Sequence, residues 1–141
     1  GLVTFSLAID SDGDRVVPAY DRDVFIMMHR RLFTRAEGES VRPDGLIIVN
    51  APEVPPELSE TGRRIAAVDA DTIAREYNLA RASVPNLSTV MTGALACLCN
   101  DVDYDALENA IREAFPRLIT PNLRALRAGW KAVRTVEAVS S

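Results

Sequence analysis

The chain has 141 residues, of which 48% are hydrophobic and 26% charged, and these proportions are ordinary for one globular domain. Its formal net charge of −4 argues against a nucleic-acid backbone or an anionic membrane as the main partner. No apolar run approaches the roughly 20 residues that span a bilayer, and no signal peptide is recognisable. We therefore expect a cytoplasmic domain over residues 1–135, followed by a tail over 136–141.

The first part of the chain has the pattern of strands separated by turns. Residues 2–9 are rich in β-branched and aromatic side chains, which favours a strand. The elements expected next are a tight turn over 10–14, a return strand over 15–17, a strand over 23–28 buried on both faces, a short helix over 31–37 and a turn over 43–45.

Two strongly apolar stretches, residues 46–49 and 65–68, predict central strands of a sheet. The segment after the first is rich in proline, which lacks the N–H that a strand ladder needs. A helix over 72–77, capped by Asp69 or Asp71, is expected after the second. This alternation predicts an α/β fold, a three-layer α/β/α Rossmann-like domain with a mostly parallel sheet.

Three longer helices are expected in the second half. The first is rich in small residues, is capped by Asn86 or Ser88 and reaches Cys99. The second follows Asp103 as its cap, and the third has Pro121 at its first position. The predicted apolar face of the third helix consists of Leu123, Leu126, Trp130 and Val133.

Four aspartates match several ligand positions of a calcium-binding loop. They are Asp10, Asp12, Asp14 and Asp21. Arg15, however, occupies the position where such a loop needs glycine, and no helix is predicted beside it. A solvated turn is therefore the preferred interpretation.

Other candidates for chemistry are isolated. His29, the only histidine, follows a predicted strand, where ligands often bind in open α/β sheets, but it has no nucleophile partner beside it. Cys97 and Cys99 diverge around a predicted helix, which disfavours a disulfide. They are too few for an iron–sulfur cluster and are interpreted as buried structural residues. Arg30 and Arg31 are interpreted as a solvated helix start, and no glycine-rich phosphate loop is present.

Asn50 and Asn86 are the polar residues of most interest. Each lies where a buried element meets a loop, and an amide there offers a donor and an acceptor to a ligand. Local turn or cap chemistry is the favoured alternative. We keep both as candidate ligand-binding residues and assign no catalytic residue and no metal ligand.

Short motifs occur in a particular order: DGLIIVN at 44–50, VDA at 68–70 with IA at 73–74, PN at 85–86, TGAL at 92–95, AIREAF at 110–115 and NLRALRAG at 122–129. Together they resemble the gamma subunit or gamma domain of 2-oxoacid:ferredoxin oxidoreductases, the family of pyruvate, 2-oxoisovalerate and 2-oxoglutarate enzymes. The resemblance covers about residues 2–133. Each motif is weak alone, and the order and spacing carry the specificity.

The N-terminus departs from the family pattern. Members usually begin with a glycine-rich G-x-G-G-Q-G turn and a later segment ending in R-G-G, both ahead of the strand at Leu2. Gly1 matches the last glycine of that second segment, so we expect a domain truncated by about 35 to 50 residues, one βαβ unit and a loop.

The resemblance implies an accessory role in oxidative decarboxylation of a 2-oxoacid. It places no cofactor in this chain and places thiamine diphosphate, magnesium and iron–sulfur clusters in partner subunits. Ferredoxin or another electron acceptor serves the complex. Coenzyme A is a candidate co-substrate, and Asn50 and Asn86 would lie at the edge of its site. The alternative is a stand-alone Rossmann-like module that binds a nucleotide or coenzyme A.

Overall fold

The computed structural model describes residues 22–81, 84–85 and 87–136. The strands are β1 (Arg22–Met27), β2 (Val41–Asn50), β3 (Arg64–Val68), β4 (Ala80–Arg81), β5 (Val84–Pro85) and β6 (Arg134–Val136). The helices are α1 (Arg35–Glu39), α2 (Pro56–Ser59), α3 (Ala70–Glu76), α4 (Ser88–Leu98), α5 (Tyr104–Ala114) and α6 (Ile119–Lys131), with a 3-10 turn over Arg30–Leu32. None of the helices in these ranges is long and apolar enough to cross a membrane.

Four strands form the central sheet, in the order β1-β2-β3-β6. β2 pairs in parallel with both β1 and β3, whereas β6 pairs with β3 in antiparallel. β4 and β5 form a separate antiparallel pair. The predicted α/β fold with a mostly parallel sheet is confirmed, and β6 is its antiparallel member.

The strand β2 contributes to a core on each face of the sheet, because successive side chains of a strand point to opposite sides. Leu46 and Ile48 belong to an apolar core that includes residues of α3, α4 and α6. Ile47 and Val49 belong to a second core on the other face, which includes Leu58 of α2. The sheet therefore has helical cover on both faces.

The expected turn over 43–45 lies inside β2 and does not precede it. The pairing partner on β2 shifts from Val41 to Leu46 while β1 advances only two residues, which is the signature of a bulge. Gly45 allows the close approach, since a Cβ there would lie 2.9 Å from the carbonyl oxygen of Asp23. Proline and glycine thus mark an irregularity within the strand.

Two other predictions in the first half need correction, the helix over 31–37 and the strand buried on both faces. The helix expected over 31–37 is a 3-10 turn followed by α1, which begins after a capping box of Thr34 and Glu37. The proline-rich segment ends in the short helix α2, with Pro56 at its first position, where the missing N–H costs nothing. The strand expected over 23–28 to be buried on both faces is β1, which is mostly half-buried because it lies at one edge of the described sheet.

Of the four residues predicted on the apolar face of the last helix, only Leu126 is buried. The buried face of α6 consists of Asn122, Ala125, Leu126 and Gly129. Trp130, predicted on the apolar face, is 37% exposed, because α4 approaches α6 so closely that small residues must line the contact. On α5, Ile111 is buried whereas Ala110 and Ala114 are exposed.

The chain continues as a strand where a frayed end was predicted after Thr135. The backbone of Val136, in β6, pairs with Ile65 of β3. The elements expected over residues 2–17, the four aspartates of the calcium-like pattern and residues 137–141 lie outside the described ranges.

Candidate functional site

Asn50 ends β2 at the edge of the sheet where the parallel strands finish, and it is 7% exposed. Its Nδ2 donates to the carbonyl oxygen of Met28 at 3.0 Å and to Oδ2 of Asp71 at 3.2 Å. Its Oδ1 accepts from the backbone N–H of Ala70 at 2.9 Å and of Asp71 at 3.3 Å. These bonds connect the end of β1, the end of β2 and the first turn of α3.

These bonds are long-range, with partners 20 to 22 residues away, whereas the alternative favoured for Asn50 was local turn or cap chemistry. An amide side chain has two N–H donors and an oxygen that accepts two bonds, and the four bonds of Asn50 use this capacity. Its direct contact with a ligand stays a prediction. Asn86, the second candidate, lies outside the described residues.

Asp69 is the residue that caps α3. Its Oδ1 accepts from the backbone N–H of Thr72 at 3.2 Å, and its Oδ2 accepts from the Thr72 hydroxyl at 2.9 Å. Asp71, the other predicted cap, bonds to Asn50 instead. At the start of α3, Asp69 therefore caps the helix and Asp71 connects it to the end of β2.

A groove of about 420 Å³ lies beside this edge of the sheet. Its lining includes the carboxylates of Glu53 and Asp69 as well as the cationic side chains of Lys131 and Arg134. Open α/β sheets bind ligands outside the carboxyl ends of their strands. The groove therefore combines a favourable position with polar groups of both charges.

The other residues considered for chemistry at this edge are exposed. His29 follows β1, and its side chain does not cap the 3-10 turn that starts after it. Arg30 and Arg31 lie in that turn and are also exposed, in agreement with a solvated position.

The two cysteines are free, as predicted, but half-buried where buried positions were expected. Burial raises the pKa of the Cys99 thiol, Asp101 raises it further, and Arg64 acts in the opposite direction. A raised pKa disfavours the thiolate that metal binding and nucleophilic attack require. Within the described ranges, no three His, Cys, Asp or Glu side chains group as a metal site.

Sequence reasoning missed two side-chain pairs. The hydroxyl of Thr89 on α4 donates to Oδ1 of Asn122 on α6 at 2.9 Å, and both residues are buried. Tyr104 and Trp130 form an edge-on aromatic pair with 5.0 Å between ring centroids. Asn122 shares helical spacing with Leu126, which could have placed it on the buried face, whereas no local signal connects the two aromatic residues.

Comparison with known proteins identifies the family. A family model described as "Pyruvate ferredoxin/flavodoxin oxidoreductase" matches residues 1–132. The common subunit gamma of the pyruvate/ketoisovalerate oxidoreductases of Pyrococcus furiosus is 28% identical over an alignment of 142 positions. The alignment covers 96% of this chain and 75% of the relative. The pyruvate synthase subunit PorC of Methanosarcina barkeri is 33% identical over 95 residues, covering 66% of this chain and 50% of that subunit.

A solved structure has the same fold. The crystal structure of the pyruvate oxidoreductase subunit PORC from Thermotoga maritima matches with a TM-score of 0.73 and 29% identity. The match covers 84% of this chain and 67% of that one. Sequence and fold thus agree, and the chain belongs to the pyruvate ferredoxin/flavodoxin oxidoreductase family.

Proposed function

We propose that this chain is the gamma-type accessory subunit of a 2-oxoacid oxidoreductase. The observation that carries the proposal is the structural likeness, at a TM-score of 0.73, to a PORC subunit of a pyruvate oxidoreductase. The family match over residues 1–132 and the similarity to a common subunit gamma support it. The chain then works within a hetero-oligomer.

The reaction proposed for the complex is oxidative decarboxylation of a 2-oxoacid. The C–C bond to the carboxylate breaks and carbon dioxide leaves, the electron pair of that bond is passed on as two electrons, and the remaining acyl group bonds to the sulfur of coenzyme A, whose thiol proton is released. Thiamine diphosphate with magnesium supplies the chemistry of the decarboxylation, and iron–sulfur clusters lead the electrons to ferredoxin or another acceptor. We assign all of these groups to partner subunits.

Coenzyme A is the molecule for which this chain offers a candidate surface. The groove beside Asn50 contains Lys131 and Arg134, and both cations suit phosphate groups. Because the Asn50 amide is bonded within the chain, its proposed contribution is to hold the edge of the groove in shape. Asn86, which lies outside the described residues, stays a candidate contact for coenzyme A from the sequence alone.

Reconstitution tests the proposal. The chain is co-expressed with the thiamine-binding and cluster-bearing subunits of its own organism, and 2-oxoacid-dependent reduction of ferredoxin is measured with and without coenzyme A. We expect the chain to co-purify at fixed stoichiometry, and its omission to lower the rate by about tenfold or more. Isolation of the chain as a free monomer in the presence of those subunits would contradict the proposal.

The stand-alone binding module is the second candidate, and the groove of about 420 Å³ is the observation that favours it. This alternative requires the isolated chain to bind coenzyme A or a nucleotide by itself. Isothermal titration of the isolated chain with each compound decides the point. Binding without any partner, together with failure to assemble, would favour the module.

A further inference from the structure

A second cleft, of about 380 Å³, lies between the first residue of α5 and the last two turns of α6. We call it the Tyr104–Trp130 cleft, and it is lined by Tyr104, Arg127, Trp130 and Lys131. Neither the cap at Asn50 nor the groove beside it includes the two aromatic residues. The cleft therefore adjoins the groove: Lys131 lines both, whereas Tyr104, Arg127 and Trp130 line the cleft alone.

The aromatic pair has one exposed ring and one hydroxyl without a hydrogen-bond partner. Trp130 is 37% exposed and, with Leu118, is one of the two exposed large hydrophobic residues in the described ranges. The hydroxyl of Tyr104 is buried and has no hydrogen-bond partner among the described residues, although buried polar groups are normally bonded. Trp130 therefore offers exposed apolar surface, and the Tyr104 hydroxyl beside it lacks a hydrogen-bond partner within those residues.

The two charged residues that line the cleft, Arg127 and Lys131, are cations, while the exposed Asp103 and Asp105 flank Tyr104 in the sequence. The guanidinium of Arg127 lies 3.9 Å from the carboxylate of Glu108, a long ion pair in which the Arg127 side chain is 65% exposed. Lys131 is exposed and has no ion pair with any residue of the described ranges. Arg124, one turn earlier on α6, is exposed as well. The complement of this surface is an apolar side chain with carboxylates around it.

We propose that the Tyr104–Trp130 cleft docks a partner subunit through a segment that presents one apolar side chain flanked by Asp or Glu. Tryptophan, tyrosine and arginine are the residue types that dominate binding energy at protein interfaces, and the two cations that line the cleft favour an acidic partner. The inference rests on the proposed function, because it names the surface through which the chain joins the complex.

The experiment uses the co-expressed complex and measures the dissociation constant of this chain for its partner subunits. Trp130→Ala and Lys131→Glu are each expected to raise that constant by about tenfold or more. The matched controls are Leu118→Ala, the other exposed apolar residue, and Arg112→Glu, an exposed cation on α5. Both controls are expected to stay within about twofold of the wild type.

Two further measurements distinguish loss of the cleft contact from loss of the fold and identify the docked segment. Lys131 is exposed, so Lys131→Glu tests the cleft even if Trp130→Ala loses its fold, which circular dichroism would reveal. A photoreactive benzoylphenylalanine in place of Trp130 then identifies the docked segment by mass spectrometry. We expect cross-links to an apolar stretch with adjacent Asp or Glu in a partner subunit.

The outcomes separate the two proposals. If the wild-type chain does not bind the partner subunits, the proposed function fails and the cleft proposal fails with it. If the wild type binds and both cleft variants bind equally well, the cleft proposal alone is overturned. Cross-links to a second copy of this chain, or to a partner segment without carboxylates, would also overturn it.

Discussion

Gly93 of α4 and Gly129 of α6 each lie directly against the backbone of the other helix. A Cβ built on Gly93 overlaps the carbonyl oxygen of Leu126, and one built on Gly129 overlaps the carbonyl oxygen of Val90. The two helices therefore meet at backbone distance. A side chain at either position must push them apart.

Gly93→Ala and Gly129→Ala are each expected to lower the free energy of unfolding by about 3 kcal/mol through overpacking. This loss outweighs the gain of about 1 kcal/mol in helix propensity. Urea denaturation of the purified variants measures it. Gly62→Ala is the control, since Gly62 has open space around it but a φ of +69°, and its expected cost is about 1 kcal/mol. A smaller loss at Gly93 than at Gly62 would refute the packing argument.

Replacement of Asn50 is expected to weaken the carboxyl edge of the sheet. Asn50→Ala leaves the carbonyl of Met28 and the N–H of Ala70 without the bonds that Asn50 makes. The expected cost is about 2–3 kcal/mol, since each buried polar group left unpaired costs about 1–3 kcal/mol. Thermal or urea unfolding monitored by circular dichroism gives the value.

A charge exchange supplies the control for Asn50. Asn50→Asp places a carboxylate next to Oδ2 of Asp71, which lies 3.2 Å from the present amide nitrogen, so the two charges repel. Asp71→Asn in the same chain removes the repulsion and is expected to restore part of the lost stability, while Asp71→Asn alone should cost less than about 1 kcal/mol. No recovery in the double variant would argue against the assigned bond.

The buried pair of Thr89 and Asn122 is expected to behave as a coupled unit. Thr89→Val leaves Oδ1 of Asn122 without its donor, and Asn122→Leu leaves the Thr89 hydroxyl without its acceptor. Each change is therefore expected to lower the free energy of unfolding by about 1–3 kcal/mol. The double variant removes both polar groups together. Its loss should fall short of the sum of the single losses by about 1 kcal/mol, and strict additivity in urea unfolding would show that the pair does not interact.

Cys99 is expected to make the fold sensitive to alkali. Burial is the largest cause of its raised pKa, followed by Asp101, so the folded state keeps the thiol proton to a higher pH than the unfolded state. The stability linked to this thiol is complete below the unfolded pKa and is lost as pH rises from there through the higher folded pKa. In a Cys97→Ala background, stability should fall more steeply between about pH 8 and 10 with Cys99 present than after Cys99→Ala.

Asp101→Asn is the matched test of the electrostatic contribution at Cys99. Removal of this carboxylate lowers the pKa of the thiol, although burial still holds it above the ordinary value. At a fixed pH near 8, iodoacetamide should therefore alkylate Cys99 faster in the variant than in the parent, because the thiolate is the reactive form. An unchanged alkylation rate would show that Asp101 does not raise the pKa of the Cys99 thiol.

The central strands and the cap at Asp103 were predictable because they depend on neighbouring residues. The starts predicted for the other two long helices were wrong, since α4 begins after Leu87 without a side-chain cap and α6 begins at Ile119, ahead of Pro121. Residues 46–49 and 65–68 fall within β2 and β3, since short apolar runs between turn signals suit buried strands. Asp103 caps α5 through the N–H groups of Asp105 and Ala106, only two and three residues ahead. Such signals are contained in a few consecutive positions.

The helix faces and the candidate site were less predictable because their partners are distant in the sequence. Helical periodicity placed Trp130 in the core, but the close approach of α4 selects a face lined by Ala125 and Gly129. The polar partners of Asn50 lie 20 to 22 residues away. No local pattern reports which of several apolar or polar surfaces a remote element will cover.

The sequence by itself determined the α/β class, the main strands, the cap at Asp103, and the family resemblance that the comparisons confirmed. It left the cap of α3 open between Asp69 and Asp71, and the structure selects Asp69. Only the tertiary structure decided that Asn50 joins two strand ends to α3 and that the bulge lies inside β2. It also decided that Trp130 faces outward beside Tyr104. The physical reason is that local propensities and caps act within one or two turns, whereas packing and buried hydrogen bonds are settled when distant segments compete for the same surface.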